Sequence, residues 1–157
     1  MSCSMSDGPG AAHKGETMKR FVLALLIAGI FYSQGYAQYN SGVIVEPVLK
    51  TDTTSIGQLV VYPHFQHDEV TISKVTIPPG ASTGWHKHSF PVFAYVVQGE
   101  LSVELETGKT LQFPEHSCFA EVIETFHNGK NTGNENVVLI AFYMGEKGKP
   151  LSVPQQK

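Results

Sequence analysis

Residues 79–99 read PGASTGWHKHSFPVFAYVVQG, and they carry the clearest structural signal in the chain. Within it, His86 and His88 are separated by one residue. Because side chains alternate along a β-strand with a period of two, both imidazoles would lie on the same face, within reach of one ion. The aromatic and β-branched run 92–97 predicts a second strand close behind. The stretch therefore predicts short strands that carry a pair of histidines.

The chain beyond residue 37 has the same character throughout. It contains no stretch of ten residues with apolar spacing at i, i+3, i+4 and i+7, whereas short β-branched and aromatic runs broken by Gly, Pro and Asn recur. Ten such runs predict an all-β sandwich or barrel. The candidate strands are Val43 to Leu49, Gly57 to Tyr62, Val70 to Ile77, Trp85 to His88, Val92 to Val97, Leu101 to Glu106, Thr110 to Phe113, Cys118 to Val122, Phe126 to Lys130 and Val137 to Tyr143.

Two local patterns refine the strands. Between Leu101 and Glu106 apolar and polar residues alternate, and Thr107-Gly108-Lys109 predicts a hairpin into the next strand. In the run from Val70 to Ile77 the apolar parity changes at Lys74, which predicts a β-bulge there.

Composition limits the classes of function. The 157 residues are enough for one domain, and 41% hydrophobic with 16% charged residues is typical of a chain that buries a core. The net charge of -3 argues against a nucleic-acid partner. Of the two cysteines, Cys118 lies in an apolar run and is best interpreted as a small packed side chain, so a disulfide scaffold is excluded.

The N-terminal residues 1–37 are typical of a secretory signal. Lys19 and Arg20 precede the apolar run 21–31, and small residues at Gly35 and Ala37 follow. The apolar run has 11 residues, whereas a bilayer core needs about 20, so no stable membrane span is expected. We expect cleavage after Ala37, a periplasmic or secreted location and one mature domain at 38–157. Whether Met1 or Met18 is the true start stays open.

A third histidine, His127, falls on another candidate strand and could complete a site with His86 and His88. The spacing alone leaves open whether the imidazoles bind a metal or are merely hydrogen-bonded. The order Pro79-Gly80, five residues, His86, one residue, His88 and ten residues to Gly99 resembles the first motif of the cupin superfamily. His127 and Asn131 stand at the spacing of its second motif.

The resemblance implies a conical β-barrel of the double-stranded jelly-roll type, with His86, His88 and His127 as metal ligands. It implies a divalent first-row metal, with Fe, Cu, Ni, Zn and Mn all open, and a small-molecule substrate. A homodimer is also expected, because a small sheet leaves edge strands that a partner commonly covers.

This sequence departs from the family's pattern at four positions. The glutamate ligand expected four residues after the second histidine is Val92, so that ligand position is vacated. In the second motif the turn glycine is His116, the proline is Val122 and the second glycine is Glu124. Since histidine tolerates positive φ better than most residues, His116 is interpreted as a turn residue.

The vacated position has a chemical consequence. Three neutral imidazoles around a divalent ion leave a site charge of +2 and up to three open positions, which a chelating or anionic substrate and dioxygen could occupy. Glu121 lies on a candidate strand, but the sequence does not fix its direction. Because no acidic residue can be placed inside the barrel, dioxygenase-like chemistry is favoured over a metal-dependent isomerase or lyase. A non-catalytic cupin that binds a metabolite or anion remains an alternative, as does a structural cupin with relic histidines.

The remaining histidines carry weaker signals. His64 and His67 are three residues apart in a polar turn, which is more typical of a solvated loop than of a second site. Most aromatic residues are expected to pack in the core, although some could line a pocket for an apolar substrate.

Overall fold

The computed structural model describes residues 42–156, and within this range it contains nine β-strands and no helix. From Val45 onward these residues form one compact unit. The strands are β1 (Asp68–Ile77), β2 (His86–Lys87), β3 (Val92–Gln98), β4 (Leu101–Leu105), β5 (Thr110–Phe113), β6 (Cys118–Ala120), β7 (His127–Lys130), β8 (Val137–Glu146) and β9 (Val153–Pro154).

The strands form two antiparallel sheets, which confirms the predicted all-β jelly-roll class. One sheet has the order β1-β8-β3-β6, and the other has the order β5-β4-β7-β2-β9. The order of neighbours differs from the order in the chain, as expected when a chain crosses repeatedly between two sheets. Consequently strands from distant parts of the sequence, such as β2 and β7, lie side by side.

Alternating side chains from both sheets build the core. Along β4 the residues Leu101, Val103 and Leu105 are buried, as their alternation predicts. The predicted hairpin to β5 is present, with Leu105 donating its N–H to Lys109 O at 2.8 Å. Phe113 and Phe119 stack with ring centroids 3.6 Å apart. The buried cluster consists of Ile77, Ala94, Val96, Leu101, Val103, Leu105, Phe119, Val122, Val137 and Leu139.

The first two candidate strands are wrong. Residues 43–49 have no ladder partner among the described residues, and all but Leu49 are exposed. Residues 57–60 belong instead to a hairpin-like loop, 52–60, whose backbone groups pair with one another, and residues 61–62 follow it without a ladder partner among the described residues. Thr54 N–H bonds to Gln58 O, and Val60 N–H bonds to Asp52 O, both at 2.8 Å. The β-branched residues of 57–62 predicted a strand, but pairing within the loop satisfies the backbone hydrogen-bonding groups of residues 57–60 instead.

The bulge predicted at Lys74 is also wrong. The ladder between β1 and β8 is unbroken from Asp68↔Glu146 to Ile77↔Val137, and the irregularity falls between Val96 and Gln98 of β3. The parity changes because β1 carries apolar residues on both faces. Val75 and Ile77 point inward, whereas Val70 and Ile72 stand on the exposed outer face.

No helix within residues 42–156 is long and apolar enough to cross a membrane. The predicted signal segment 1–37, and with it the expected cleavage after Ala37, lies outside the described residues.

Candidate metal centre

Four ionisable side chains converge at one position inside the jelly roll. His86 lies on β2, His88 directly follows that strand, His127 opens β7, and Glu121 directly follows β6. His86 and His127 are cross-strand partners, so the antiparallel pairing of β2 and β7 itself brings the two motifs together. One donor atom from each of the four residues lies within 4.8 Å of every other. The structure thus brings together the three predicted histidines and adds a carboxylate.

A backbone carbonyl orients each imidazole through its Nδ1 atom. His86 Nδ1 lies 2.8 Å from Gly84 O, His88 Nδ1 lies 2.7 Å from Leu151 O, and His127 Nδ1 lies 3.0 Å from Thr125 O. Since a carbonyl oxygen only accepts hydrogen bonds, each Nδ1 must carry the proton and donate it. This leaves each Nε2 available as the metal donor, and the arrangement is the usual support for histidine ligands.

Glu121 is the member of this cluster whose position the sequence did not predict. Its Oε2 atom lies 3.0 Å from His88 Nε2 and 3.1 Å from His127 Nε2, and only 16% of its side chain is exposed. The run Cys118 to Val122 is apolar except at Glu121, so its inward side was ambiguous. Phe119, two residues earlier, is buried in the core, and the strand period would have placed Glu121 on the same face.

Val92, the vacated ligand position, lies directly beside the new carboxylate. Its side chain is 1% exposed on β3, its register partner on β8 is Tyr143, and its carbonyl accepts the N–H of Glu121 at 2.8 Å. Residues opposite one another on neighbouring strands share a face. Tyr143, Val92 and Glu121 therefore form one row across the sheet, and the expectation of a site without a carboxylate is wrong. The carboxylate stands on the neighbouring strand.

The carboxylate and the imidazoles shift one another's pKa values. Burial raises the pKa of Glu121, but the hydrogen bonds and positive charges of His127 and His88 outweigh it and hold that pKa far below its ordinary value. Burial lowers the pKa of His127, and its hydrogen bond to Glu121 reverses this, for a net rise. The pKa of His86 is lowered by burial and by the neighbouring imidazoles. Without a metal, Glu121 therefore stays ionised and strengthens the proton binding of His127.

The four side chains face a small, mostly apolar cavity of about 50 Å³. Such a volume holds only a few water-sized groups. Glu121 is the only side chain of the described lining with a permanent charge, and Tyr143 contributes a phenol. The apolar lining consists of Val75, Ile77, Leu101, Val103, Leu139 and Ala141.

The two turns on either side of β6 keep the backbone shape of the cupin second motif without its glycines. His116 has φ of 67° and Glu124 has φ of 51°, and these are the two positions where the motif has glycine. The prediction that His116 holds a turn is therefore supported by its backbone. Glu124 also pairs with the Lys87 ammonium at the surface.

Gln58, in the 52–60 hairpin, holds the second of these turns, the one between β6 and β7. Its Oε1 accepts the N–H of Ile123 at 3.0 Å, and its Nε2 donates to Ile123 O at 2.9 Å and to Thr125 Oγ1 at 3.2 Å. Thr125 O is in turn the acceptor for His127 Nδ1. In the cupin motif a proline would stiffen this segment, but that position is Val122 here. The Gln58 side-chain amide fixes the segment instead.

The other histidines lie outside the cluster. His64 and His67 are exposed, in agreement with a solvated loop. His116 is exposed and contacts Glu115 and Tyr95 rather than the three clustered imidazoles. Asn131, the last motif residue, is structural, because its Nδ2 donates to Ile77 O at 2.8 Å and to Glu135 O at 2.7 Å.

Comparison with known families supports the motif assignment. Residues 73–143 match the family model described as "Cupin domain". The chain therefore contains a cupin domain and is a small cupin-domain protein, as its motifs predict. Comparison with curated proteins gave no significant match.

Solved structures with a related fold are distant in sequence. A protein described as a predicted oxalate decarboxylase from Thermotoga maritima is 26% identical with a TM-score of 0.41, over 45% of this chain and 62% of that one. A cupin domain from Bordetella pertussis is 21% identical with a TM-score of 0.45, over 62% of this chain and 98% of that one. A cupin-like protein from Thermotoga maritima is 19% identical with a TM-score of 0.44, over 46% of this chain and 55% of that one.

Proposed function

We propose that the protein is a metalloenzyme that binds one divalent first-row metal ion through His86, His88, His127 and Glu121. The observation that carries this proposal is the set of three Nδ1 anchors, which leave three Nε2 atoms available beside one carboxylate, with Glu121 Oε2 in contact with the Nε2 atoms of His88 and His127. A set of three imidazoles and one carboxylate suits Fe, Mn, Ni, Cu or Zn.

The donor set limits the substrate. Glu121 lowers the charge of a divalent centre to +1, so the attraction for a dianion is weaker than three imidazoles alone would give. Among the residues that the structure describes, the cavity lining contains no Lys or Arg that could supply the missing positive charge. We therefore propose a small substrate, neutral or singly charged, that presents a metal-binding group to the histidines and a short apolar part to Leu139 and Ala141.

Dioxygenase-like chemistry is the reaction class that we favour. A redox-active metal, when bound, supplies the activation of dioxygen, while the protein side chains hold and orient the substrate and exclude water. The apolar wall of the cavity serves the second task, and the Tyr143 phenol lies in reach of a bound substrate as a hydrogen-bond donor.

Glu121 supports a second candidate, a metal-dependent isomerase or lyase. Such an enzyme needs a group that accepts a proton near the metal, and an ionised carboxylate inside the pocket meets that need. The two candidates differ in what Glu121 does, because a carboxylate that binds the metal is not free to act as the base.

Metal analysis of the purified protein tests the proposal. We expect about one metal ion per chain in the parent, and none in the double variant His86→Ala, His88→Ala. The matched control is His64→Ala, His67→Ala, which removes two exposed histidines and should keep the metal. Equal metal content in the two double variants would contradict the site.

Oxygen uptake then separates the reaction classes. The iron- and copper-loaded protein is screened with catechol-like, thiol and diketone compounds. Uptake that Tyr143→Phe reduces would support the dioxygenase. Substrate binding without turnover would favour the non-catalytic alternative. Export of the protein stays a prediction that rests on residues 19–37 alone.

A further inference from the structure

The segment 149–156 runs along β2, which carries His86 and is followed directly by His88. Its strand β9 is the outermost strand of the sheet β5-β4-β7-β2-β9, with Pro154 opposite His86 and Val153 opposite Lys87. Gln155 donates its N–H to Trp85 O at 3.0 Å. The segment lies beyond the residues 73–143 that match the cupin family.

The same segment directly contacts His88, one of the proposed metal ligands. Leu151 O is the acceptor for His88 Nδ1 at 2.7 Å, and His88 is only 3% exposed. Its ring has no other acceptor for that proton among the described hydrogen bonds, since Nε2 faces Glu121. The orientation of His88 Nε2 therefore depends on where segment 149–156 lies.

The attachment of this segment is slight. Val153, Pro154, Gln155 and Gln156 are exposed, and no residue of the segment belongs to the buried core cluster. A two-residue edge strand with few apolar contacts opens locally at a low free-energy cost. Segment 149–156 can therefore separate from β2 without loss of the core.

We propose that segment 149–156 is a positioning clamp for His88, and that its docking and metal binding are coupled. This inference rests on the proposed metal site. With the segment docked, Leu151 O fixes the His88 ring with Nε2 toward the metal position. A metal bound to Nε2 in turn holds Nδ1–H toward Leu151 O. Coupling of two binding events is reciprocal, so each must strengthen the other by the same factor.

The first test measures zinc affinity by competition with a chromophoric chelator. A chain that ends at Gly148 should bind Zn²⁺ about 10- to 100-fold more weakly than the parent, the usual effect of losing a ligand's hydrogen-bond partner. Gln155→Pro removes the N–H bonded to Trp85 O, fixes φ at that residue and should give a smaller loss, whereas Gln155→Ala keeps that N–H and should match the parent. Circular dichroism verifies that each variant keeps the β-fold.

The second test measures the reverse effect. Hydrogen exchange of the Gln155 N–H reports the opening of the segment, and saturating Zn²⁺ should slow it by the same factor by which truncation weakens binding. The double variant His86→Ala, His88→Ala should show no such slowing. A parent that binds no zinc would overturn the proposed function and the coupling together. Equal affinity of the parent and the truncated chain, or exchange that zinc does not change, would overturn the coupling alone.

Discussion

Moving the carboxylate back to position 92 tests the geometry of the centre. The paired substitution Val92→Glu with Glu121→Val exchanges two residues that face each other across adjacent strands, joined by the 2.8 Å bond from Glu121 N–H to Val92 O. Because the exchange conserves composition and side-chain volume, the core around Tyr143 should repack with little strain. We expect the double variant to bind metal through the same three histidines.

The single substitutions set the scale. Glu121→Val removes one of four donors and should weaken metal binding by about 10- to 1,000-fold, or about 1.4 to 4 kcal/mol. It also removes the acceptor for two charge-assisted hydrogen bonds, each worth about 1.5 to 3 kcal/mol to the metal-free fold. Val92→Glu alone places two carboxylates about 5 Å apart, a repulsion of about 3 kcal/mol at an effective dielectric constant of 20. A cation relieves that repulsion, so this variant should be less stable without metal and bind metal more tightly.

Zinc and cobalt titrations of the parent, both single variants and the exchange variant give the affinities, and urea unfolding gives the metal-free stabilities. The exchange variant should recover to within about 10-fold of the parent. If it binds no better than Glu121→Val, position 92 does not face the metal and the row of Tyr143, Val92 and Glu121 is misassigned. If Glu121→Val itself binds as tightly as the parent, the carboxylate is not a ligand.

Two further predictions concern pH and assembly. The pKa of Glu121 is lowered by folding, so this residue contributes to metal-free stability above its unfolded pKa of 4.5. The pKa of His127 is raised by folding, so this residue contributes stability below its unfolded pKa of 6.5, and that contribution is lost as pH rises through the folded value. The stability difference between the parent and Glu121→Gln, by urea unfolding in chelator, should therefore shrink from pH 6 to pH 9, and a constant difference would argue against the ion pair. The homodimer stays a prediction, and the exposed outer face of β1 and β8, with Ile72 opposite Phe142, is the surface that we expect the partner to cover. Light scattering should show a dimer that Ile72→Lys converts to monomer, and a monomeric parent would refute it.

The sequence predicts the strands near the two motifs well, because alternation and glycine turns act locally there. Eight of the nine strands overlap candidate runs, and the hairpin after Leu105 is confirmed. The failures lie where the structure of a run depends on which partner it pairs with, and not on its own residue pattern. Residues 57–62 have strand composition, but the loop 52–60 pairs within itself, and neither periodicity nor propensity reveals which partner a run will find.

The candidate site, like the fold, could be predicted from the sequence only in part. His86, His88 and His127 follow from spacing and motif, whereas Glu121 required knowing which face of β6 points inward. The contacts of Gln58 with the loop before His127, and of Leu151 with His88, lie outside the motifs and join residues more than 60 positions apart. Sequence patterns describe faces of single strands, and such contacts depend on how the strands assemble.

The position of the carboxylate also affects how the centre behaves without metal. Glu121 Oε2 contacts the Nε2 atoms of both His88 and His127, so in the metal-free site this carboxylate links the ends of β2 and β6 to the start of β7. Metal binding must displace the proton held between Glu121 and His127, and therefore releases a proton and becomes stronger as the pH rises. The hydrogen bonds to Gly84 O, Leu151 O and Thr125 O already orient the three imidazoles without a metal, so the proposed centre needs little rearrangement to bind one. Protons and metal therefore compete at Glu121, the carboxylate that stands at position 121 where the cupin motif would have one at position 92.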